Sequence, residues 1–375
     1  MPGKIVVFGA TGYTGRLATE ALLRRGARPV LAARNPERLA ALAEELGGLE
    51  TAVADVSRPD TVRALVSHGD VLLSTVGPFV RWGAPAVESA IAAGATYIDS
   101  TGEPPFIREV FEQYGPRAQS AGCGLLTALG YDYVPGNLAA GLALERAGAA
   151  AVKVAVGYFI SGRASPRESM SGGTFASLTG VVLSPHFAFR GGRIVTERSA
   201  KRVRTFESVG GKKLTGVSVG SSEHFALPKI HPSLREVDAY LGWFGPASRA
   251  MQVMSLAGEL PGVSSGMEKL GRRFVHGSTG GPDENARART GSLVFAEAYD
   301  ASGNVLARSE LKGPNGYTFT GEILAWGAHR ALEHGVNGTG ALGPVEAFGL
   351  RELEAGCAEM GFTDVRAPAP TGAAG

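Results

Sequence analysis

Glycines stand at Gly9, Gly12 and Gly15, directly after the apolar run Lys4-Ile5-Val6-Val7-Phe8. A helical pattern follows, with Leu17, Ala18, Ala21 and Leu22 on one face. A strand that enters a glycine-spaced turn and leaves as a helix is built to hold a dinucleotide. The first glycine permits a tight turn, the second lets the backbone approach a diphosphate, and the third packs helix against strand. Thr11, Tyr13 and Thr14 fill the turn, and the free N–H groups of the helix start receive the phosphates.

The next apolar run ends Ala33-Arg34-Asn35. An NAD site places an acidic residue at this point for the ribose hydroxyls, whereas the fork of Arg34 suits a 2′-phosphate and so points to NADPH. The alternative is an exposed arginine at a loop start. Asp55, after the third run, either accepts from the adenine amine or caps the turn before Ser57. After the fourth run, Thr75-Val76-Gly77-Pro78-Phe79 makes a small-residue turn beside the nicotinamide half of the cofactor. Tyr131 and Asp132 follow the sixth run and are the candidate catalytic pair, a phenol that can donate a proton and a carboxyl that can orient it or hold an iminium. Tyr97, Asp99 and Glu103 form a reserve, with structural turn roles as their alternative.

These residues need a scaffold that brings strand ends together. Strands are expected at 4–8, 29–33, 50–54, 70–76, 96–99 and 124–128, with helices near 14–25, 36–46, 59–67, 84–94 and 105–120. That alternation predicts a doubly wound parallel sheet, a Rossmann domain over 1–128, with ligands beyond the carboxyl ends of its strands. From 129 to 315 the pattern predicts an α+β domain with a mostly antiparallel sheet. Its elements are a helix at 137–147 and strands at 151–160, 193–197, 202–207, 291–299 and 304–312. Helices near 317–334 and 345–360 are expected to pack back on the first domain within 316–366, and 367–375 reads as a disordered tail.

With 375 residues, 44% hydrophobic and 19% charged, the chain has ample apolar material for two domains. A net charge of +2 argues against nucleic acid as a partner. Cys123 and Cys357 lack ligand spacing, the seven histidines form no cluster, and no metal site is expected. No apolar run approaches a membrane span and no leader precedes the first strand, so a cytoplasmic location is expected. No tyrosine has a lysine four positions on, which excludes a YxxxK catalytic pair. The GxSxG match at Gly262–Gly266 follows Pro261 rather than a strand and reads as chance.

Between 186 and 213 lie Arg190, Arg193, Arg198, Lys201, Arg202, Arg204, Lys212 and Lys213 against Glu197 and Glu207. This is either a solvated hairpin face or a docking surface for an acidic carrier protein or anionic lipid. Tyr240 to Phe244, with Met251 to Leu256, either lines an apolar substrate pocket or forms ordinary core.

The stretches GATGYTG at 9–15, Arg34-Asn35, TVGPFVRWG at 75–83, AAGATYIDSTGE at 92–103 and GYDYVP at 130–135 together resemble the saccharopine dehydrogenase-like oxidoreductases. That family includes the trans-acting enoyl reductases of lipid biosynthesis. Weaker echoes are SGGTFAS at 171–177, GYTFTGEIL at 316–324 and GPVEAFG at 343–349. The resemblance implies an NADPH-dependent reductase, with Asp132 where saccharopine-type relatives place an aspartate near substrate. The family segment GFD-x-x-PSD differs here, ending Pro135-Gly136-Asn137.

The reading is reduction of an activated C=C bond in a hydrophobic metabolite, carrier-bound or free. Alternatives are imine or secondary-amine chemistry, for which Arg81 and Arg163 could hold carboxylates, and a non-catalytic NADPH-binding scaffold. A homodimer is compatible with either.

Overall fold

The computed structural model describes residues 3–162, 186–242 and 280–366, with isolated positions 249, 252 and 255. The SGGTFAS echo, the GxSxG match, Arg163, Trp243-Phe244, Met251, Leu256 and the 367–375 tail lie outside the described residues.

Six short strands alternate with helices in the first third: β1 Ile5–Phe8, β2 Val30–Ala33, β3 Thr51–Val53, β4 Val71–Ser74, β5 Thr96–Asp99 and β6 Gly124–Leu126. Strands β1, β2 and β4 are buried along their full length, as strands of a parallel sheet covered on both faces must be. Ile5 and Val7 enter one core and Val6 and Phe8 the other. Local chemistry sets the crossovers. Helix Pro36–Glu45 starts with Pro36 behind Asn35, whose side chain accepts from Arg38 N at 2.8 Å.

The second part contains β7 Lys153–Gly162, β8 His186–Arg190, β9 Arg193–Glu197, β10 Val203–Glu207, β11 Lys213–Val219, β12 Glu236–Leu241, β13 Thr290–Tyr299 and β14 Val305–Gly313. The chain ends with β15 Gly340–Ala341 and β16 Thr363–Asp364. The first sheet is parallel throughout in the order β15-β6-β5-β4-β1-β2-β3. The second runs β10-β11-β12-β7-β13-β14-β16, with β8 on β12 and β9 on β8. Its only parallel pairing among the described strands is β12 with β7. The fold class is therefore α/β, a doubly wound sheet joined to a mostly antiparallel one. One core cluster extends from Ile5 and Val7 to Val154, Val156 and Tyr158 of β7 and Val294 of β13, so the two sheets share it.

Several elements differ from expectation. Strands β8, β11, β12, β15 and β16 and helix Glu223–Ile230 were not foreseen. The expected strand 70–76 stops at Ser74, and Phe79–Trp82 forms a short helix of its own. The expected helix 345–360 breaks at Gly349, whose φ of +83° belongs to the left-handed region. The chain beyond 316 serves both sheets, because β15 extends the first and β16 pairs with β14 of the second. Tyr240 and Leu241 are buried in β12, and Tyr240 packs edge-on to Phe206 at 5.8 Å, so these two belong to core.

Four of the eight cations of the basic stretch pair with carboxylates among the described residues. Arg202 pairs with Glu197 at 2.6 Å and Asp238 at 3.2 Å, Arg190 with Asp238, Lys201 with Glu197 at 3.5 Å, and Arg204 with Glu297 at 2.5 Å. No described helix is long and apolar enough to cross a membrane.

Helix Gly316–His334 crosses helix Tyr13–Arg24 so closely that a Cβ on Gly321 would sit 2.9 Å from Leu17 Cβ. Phe319, fully buried in the same helix, packs edge-on against Phe362 at 4.7 Å. Phe319→Ala should lower unfolding free energy by about 3–5 kcal/mol through the lost burial and the cavity left behind, read from urea unfolding.

Candidate functional site

The glycine turn follows β1 at the carboxyl end of the first sheet, where strand order reverses between β1 and β4. Gly9 has φ +93°, and a Cβ there would lie 2.7 Å from Thr75 Oγ1. A Cβ on Gly15 would lie 2.3 Å from the Gly9 carbonyl oxygen. Both positions therefore exclude side chains. Gly12 is the N-cap of helix Tyr13–Arg24, no side chain caps that terminus, and its first turn carries no acidic residue. Thr11 and Gly12 are exposed, with Tyr13 and Thr14 partly so. An open, uncapped helix start beside backbone stripped of side chains fits the diphosphate of a dinucleotide.

Tyr13 is held from outside the turn. Its hydroxyl donates to the Pro282 carbonyl at 2.5 Å and accepts from Arg287 Nη1 at 2.9 Å, and its ring meets Tyr317 edge-on at 5.4 Å. The segment before β13 thus clasps the cofactor loop, a contact 269 residues apart in sequence that the sequence pattern did not signal.

Arg34 is exposed at the end of β2 and makes no hydrogen bond or ion pair among the described residues. Asn35 Oδ1 is committed to its helix cap. Asp55 accepts from Ser57 N and Ser57 Oγ, both at 2.8 Å, bonds that with nearby Arg58 and Arg34 hold its carboxyl below the usual range. The turn role expected of Asp55 is thus filled by Oδ1.

Thr75 Oγ1 lies 3.2 Å from the Gly9 carbonyl oxygen and its N donates to Phe8 O at 2.8 Å, joining the turn after β4 to the glycine turn. Val76, Gly77 and Pro78 continue that turn. Phe79 N and Val80 N donate to Glu103 Oε1 and Oε2 at 2.9 and 3.0 Å, so Glu103 caps the helix that follows. Asp99 accepts from Thr101 N, Ala128 N and Thr127 Oγ1 at 2.8–2.9 Å, locking β5 to the end of β6. Burial raises its carboxyl to about 6 against those bonds. Tyr97 is fully buried beside Asp99 and Ser74. Glu103 and Asp99 thus hold turns and strand ends in place.

Beyond β6 the picture changes. The Tyr131 hydroxyl donates to Phe159 O at 3.3 Å, and burial pushes it above the usual phenol range. Its neighbour Asp132 is partly covered, and its Oδ1 has no hydrogen-bond partner. Asp132 Oδ2 lies where a Cβ on Gly102 would be 3.1 Å away, so the loops after β5 and β6 meet around this carboxyl. Burial alone lifts it to about 7.

Two residues with no local sequence signal join it. Tyr158, in the middle of β7, donates its hydroxyl to Glu223 Oε1 and lies 3.2 Å from the Tyr133 carbonyl oxygen. Glu223 is wholly enclosed, and its Oε2 has no partner. Burial raises it to about 7, offset in part by the hydroxyls of Tyr158 and Ser221. Helix Val134–Ala147 begins between them. A Cβ on Gly136 would stand 1.9 Å from Tyr158 Oη, and Asn137 Nδ2 donates to Ser222 Oγ at 3.1 Å. Arg81 lies over the Trp82 ring at 4.4 Å.

Residues 5–126 match the saccharopine dehydrogenase NADP binding domain. Among curated proteins, the chain is similar to the trans-acting enoyl reductase of Mycobacterium ulcerans. The two are 39% identical over 141 residues, 36% of this chain and 34% of that one. The trans-acting enoyl reductase of Mycobacterium tuberculosis is 39% identical over 140 residues, with the same shares. The match thus spans about a third of the length of each relative. Over nearly the whole chain, the fold is similar to apo saccharopine dehydrogenase (L-Glu forming) from Saccharomyces cerevisiae. That likeness has a TM-score of 0.57 and 13% identity and covers 95% of this chain and 96% of that one.

Burial raises the Asp132 carboxyl from an unfolded value near 4 to about 7. Its ionisation therefore costs stability as pH rises from about 4 to 7, and the cost is fully present above 7. Asp132→Asn should raise the melting temperature at pH 8 and leave it nearly unchanged at pH 4, in a thermal-melt series. Equal loss at both values would place the carboxyl in wet surroundings.

Proposed function

We propose that this chain is an NADPH-dependent reductase of an activated carbon–carbon double bond in a hydrophobic acyl substrate, carried as a thioester. The observation that carries the reading is Asp132. It is a dry carboxyl with an unpartnered oxygen at the carboxyl ends of β5 and β6, in the same sheet as an open dinucleotide turn. The names of the curated relatives support the choice of an enoyl group.

Gly9, Gly12 and Gly15 leave the space for the cofactor diphosphate, and the uncapped N–H groups of Tyr13 and Thr14 hold it. Thr11, beside Gly12 in the same exposed turn, belongs to that cradle. Arg34, free of protein partners among the described residues, takes the 2′-phosphate, while Asn35 sets the helix that presents it. Asp55 keeps Oδ2 for the adenine. The turn from Thr75 through Val76, Gly77 and Pro78 to Phe79 backs the nicotinamide half, held by Glu103. Bound NADPH supplies a hydride.

Asp132 supplies the matching proton. A carboxyl with proton affinity near neutrality keeps a substantial protonated fraction near pH 7 and is acidic enough to give the proton up. Tyr131 is less suited, because its hydroxyl is already donated to Phe159 O. A second reading, reduction of an imine, draws on the same free oxygen. No cation neutralises Asp132 among the described residues, so its ionised form could hold an iminium.

Parallel fluorescence titrations with NADPH and NADH test the cofactor, and Arg34→Asp should shift preference toward NADH by roughly 10- to 150-fold, the worth of about 1.5–3 kcal/mol. Asp132→Asn should lower kcat for 2-enoyl thioester reduction about 10²- to 10⁴-fold at unchanged NADPH affinity. NADPH binding without oxidation by enoyl thioesters or imines would return the chain to a scaffold role.

A further inference from the structure

Arg287 stands in helix Glu284–Ala288, on the segment that leads into β13, yet its guanidinium ends at the glycine turn of the first sheet. Nη1 donates to Tyr13 Oη at 2.9 Å and to the Pro282 carbonyl at 3.0 Å, while Nε is buried without a partner. Among the described residues no carboxylate pairs with this cation. Asp283, one turn before it, commits Oδ1 to the cap of its own helix, accepting from Ala286 N at 2.7 Å.

The position makes that charge costly. Tyr13 is the first residue of helix Tyr13–Arg24, whose N-terminus carries a partial positive charge and whose first turn has no acid to balance it. An arginine brought to this end is unfavourable unless an anion joins it. The placement is nevertheless fixed from several sides. A Cβ on Gly281 would lie 2.5 Å from the Tyr13 ring, so the segment seats directly on it. Thr290 Oγ1 donates to the Arg287 carbonyl at 3.3 Å and accepts from Asn315 Nδ2 at 2.7 Å. Asn315 in turn caps helix Gly316–His334, whose Tyr317 packs edge-on against Tyr13.

We propose that Arg287 is a further cofactor-binding residue, which brings its charge from the segment before β13 to the diphosphate of the bound dinucleotide. The inference rests on the reading of the glycine turn as the cofactor site, and it adds a cation to a cradle built from backbone N–H groups. The Tyr13 hydroxyl is the positioning element. By accepting from Arg287 and donating to Pro282, it fixes the guanidinium beside the helix start. Arg34 and Arg287 thereby divide the anion between them. Arg34 faces the phosphate that distinguishes NADPH from NADH, whereas Arg287 serves the group that both nucleotides share.

The test is fluorescence titration of the full chain with NADPH and with NADH, each at low and at high salt. Arg287→Met, which keeps most of the side-chain length and loses the charge, should weaken both nucleotides about equally, by roughly 10-fold or more. Arg287→Lys should recover part of that loss, and the gap between wild type and Arg287→Met should narrow as salt rises. A loss confined to NADPH would give Arg287 to the 2′-phosphate and overturn the proposal. Wild-type affinity in Arg287→Met overturns it too, as does a loss that Arg287→Lys does not recover and salt does not change, the mark of packing alone. Binding of neither nucleotide by the folded wild-type protein overturns the cofactor reading instead, and the role of Arg287 falls with it.

Discussion

Moving a carboxylate from water into a protein interior costs several kcal/mol unless a cation or a full set of donors receives it. Asp99 illustrates the solved case, with three donors around it. Asp132 and Glu223 illustrate the opposite, each with an oxygen left without a partner. Such groups persist only where the surroundings are too well packed to let water in. Here Tyr131, Tyr133 and Tyr158 pack edge-to-face at 5.7–5.8 Å around them. The stability given up at this point is supplied by the continuous core between the two sheets.

How legible this was depends on the range of each interaction. The glycine turn could be read because everything it requires lies within seven residues, and the close approaches at Gly9 and Gly15 answer that requirement directly. The parallel sheet could be read from buried apolar runs at β1, β2 and β4. The clasp on Tyr13 could not, because Pro282 and Arg287 lie far along the chain. The Arg190–Arg202 stretch looked like a charged surface because its neutralising Asp238 arrives from β12, a strand that polar and aromatic residues disguised. Tyr158 reads as an ordinary inward residue of β7, and its partner Glu223 is 65 positions away.

The segment Gly136-Asn137 gains a physical explanation from the same contacts. Where the resembling family carries serine and an acid, this chain places a residue without a side chain and a neutral amide. A serine Cβ at 136 would collide with Tyr158 Oη, and Asn137 uses its amide to hold Tyr133 O at 2.8 Å and Ser222 Oγ. The carboxylate that faces Tyr158 comes instead from Glu223, at the start of helix Glu223–Ile230.

The separate origins of these side chains have a structural consequence for when the site exists. Asp132 comes from a loop of the first sheet, Tyr158 from the central strand of the second, and Glu223 from a helix packed beside β12. None of the three is a neighbour of another in a single element, so their enclosure is complete only when the sheets close on their common core. The glycine turn, by contrast, takes its backbone from β1 and its following helix alone, with Thr75, Pro282 and Arg287 bracing it from outside. The backbone geometry of the turn is therefore local and the enclosure of the two carboxyls tertiary, and loosening of the inter-sheet packing would wet the carboxyls, lower their proton affinity and release the clasp on Tyr13 together.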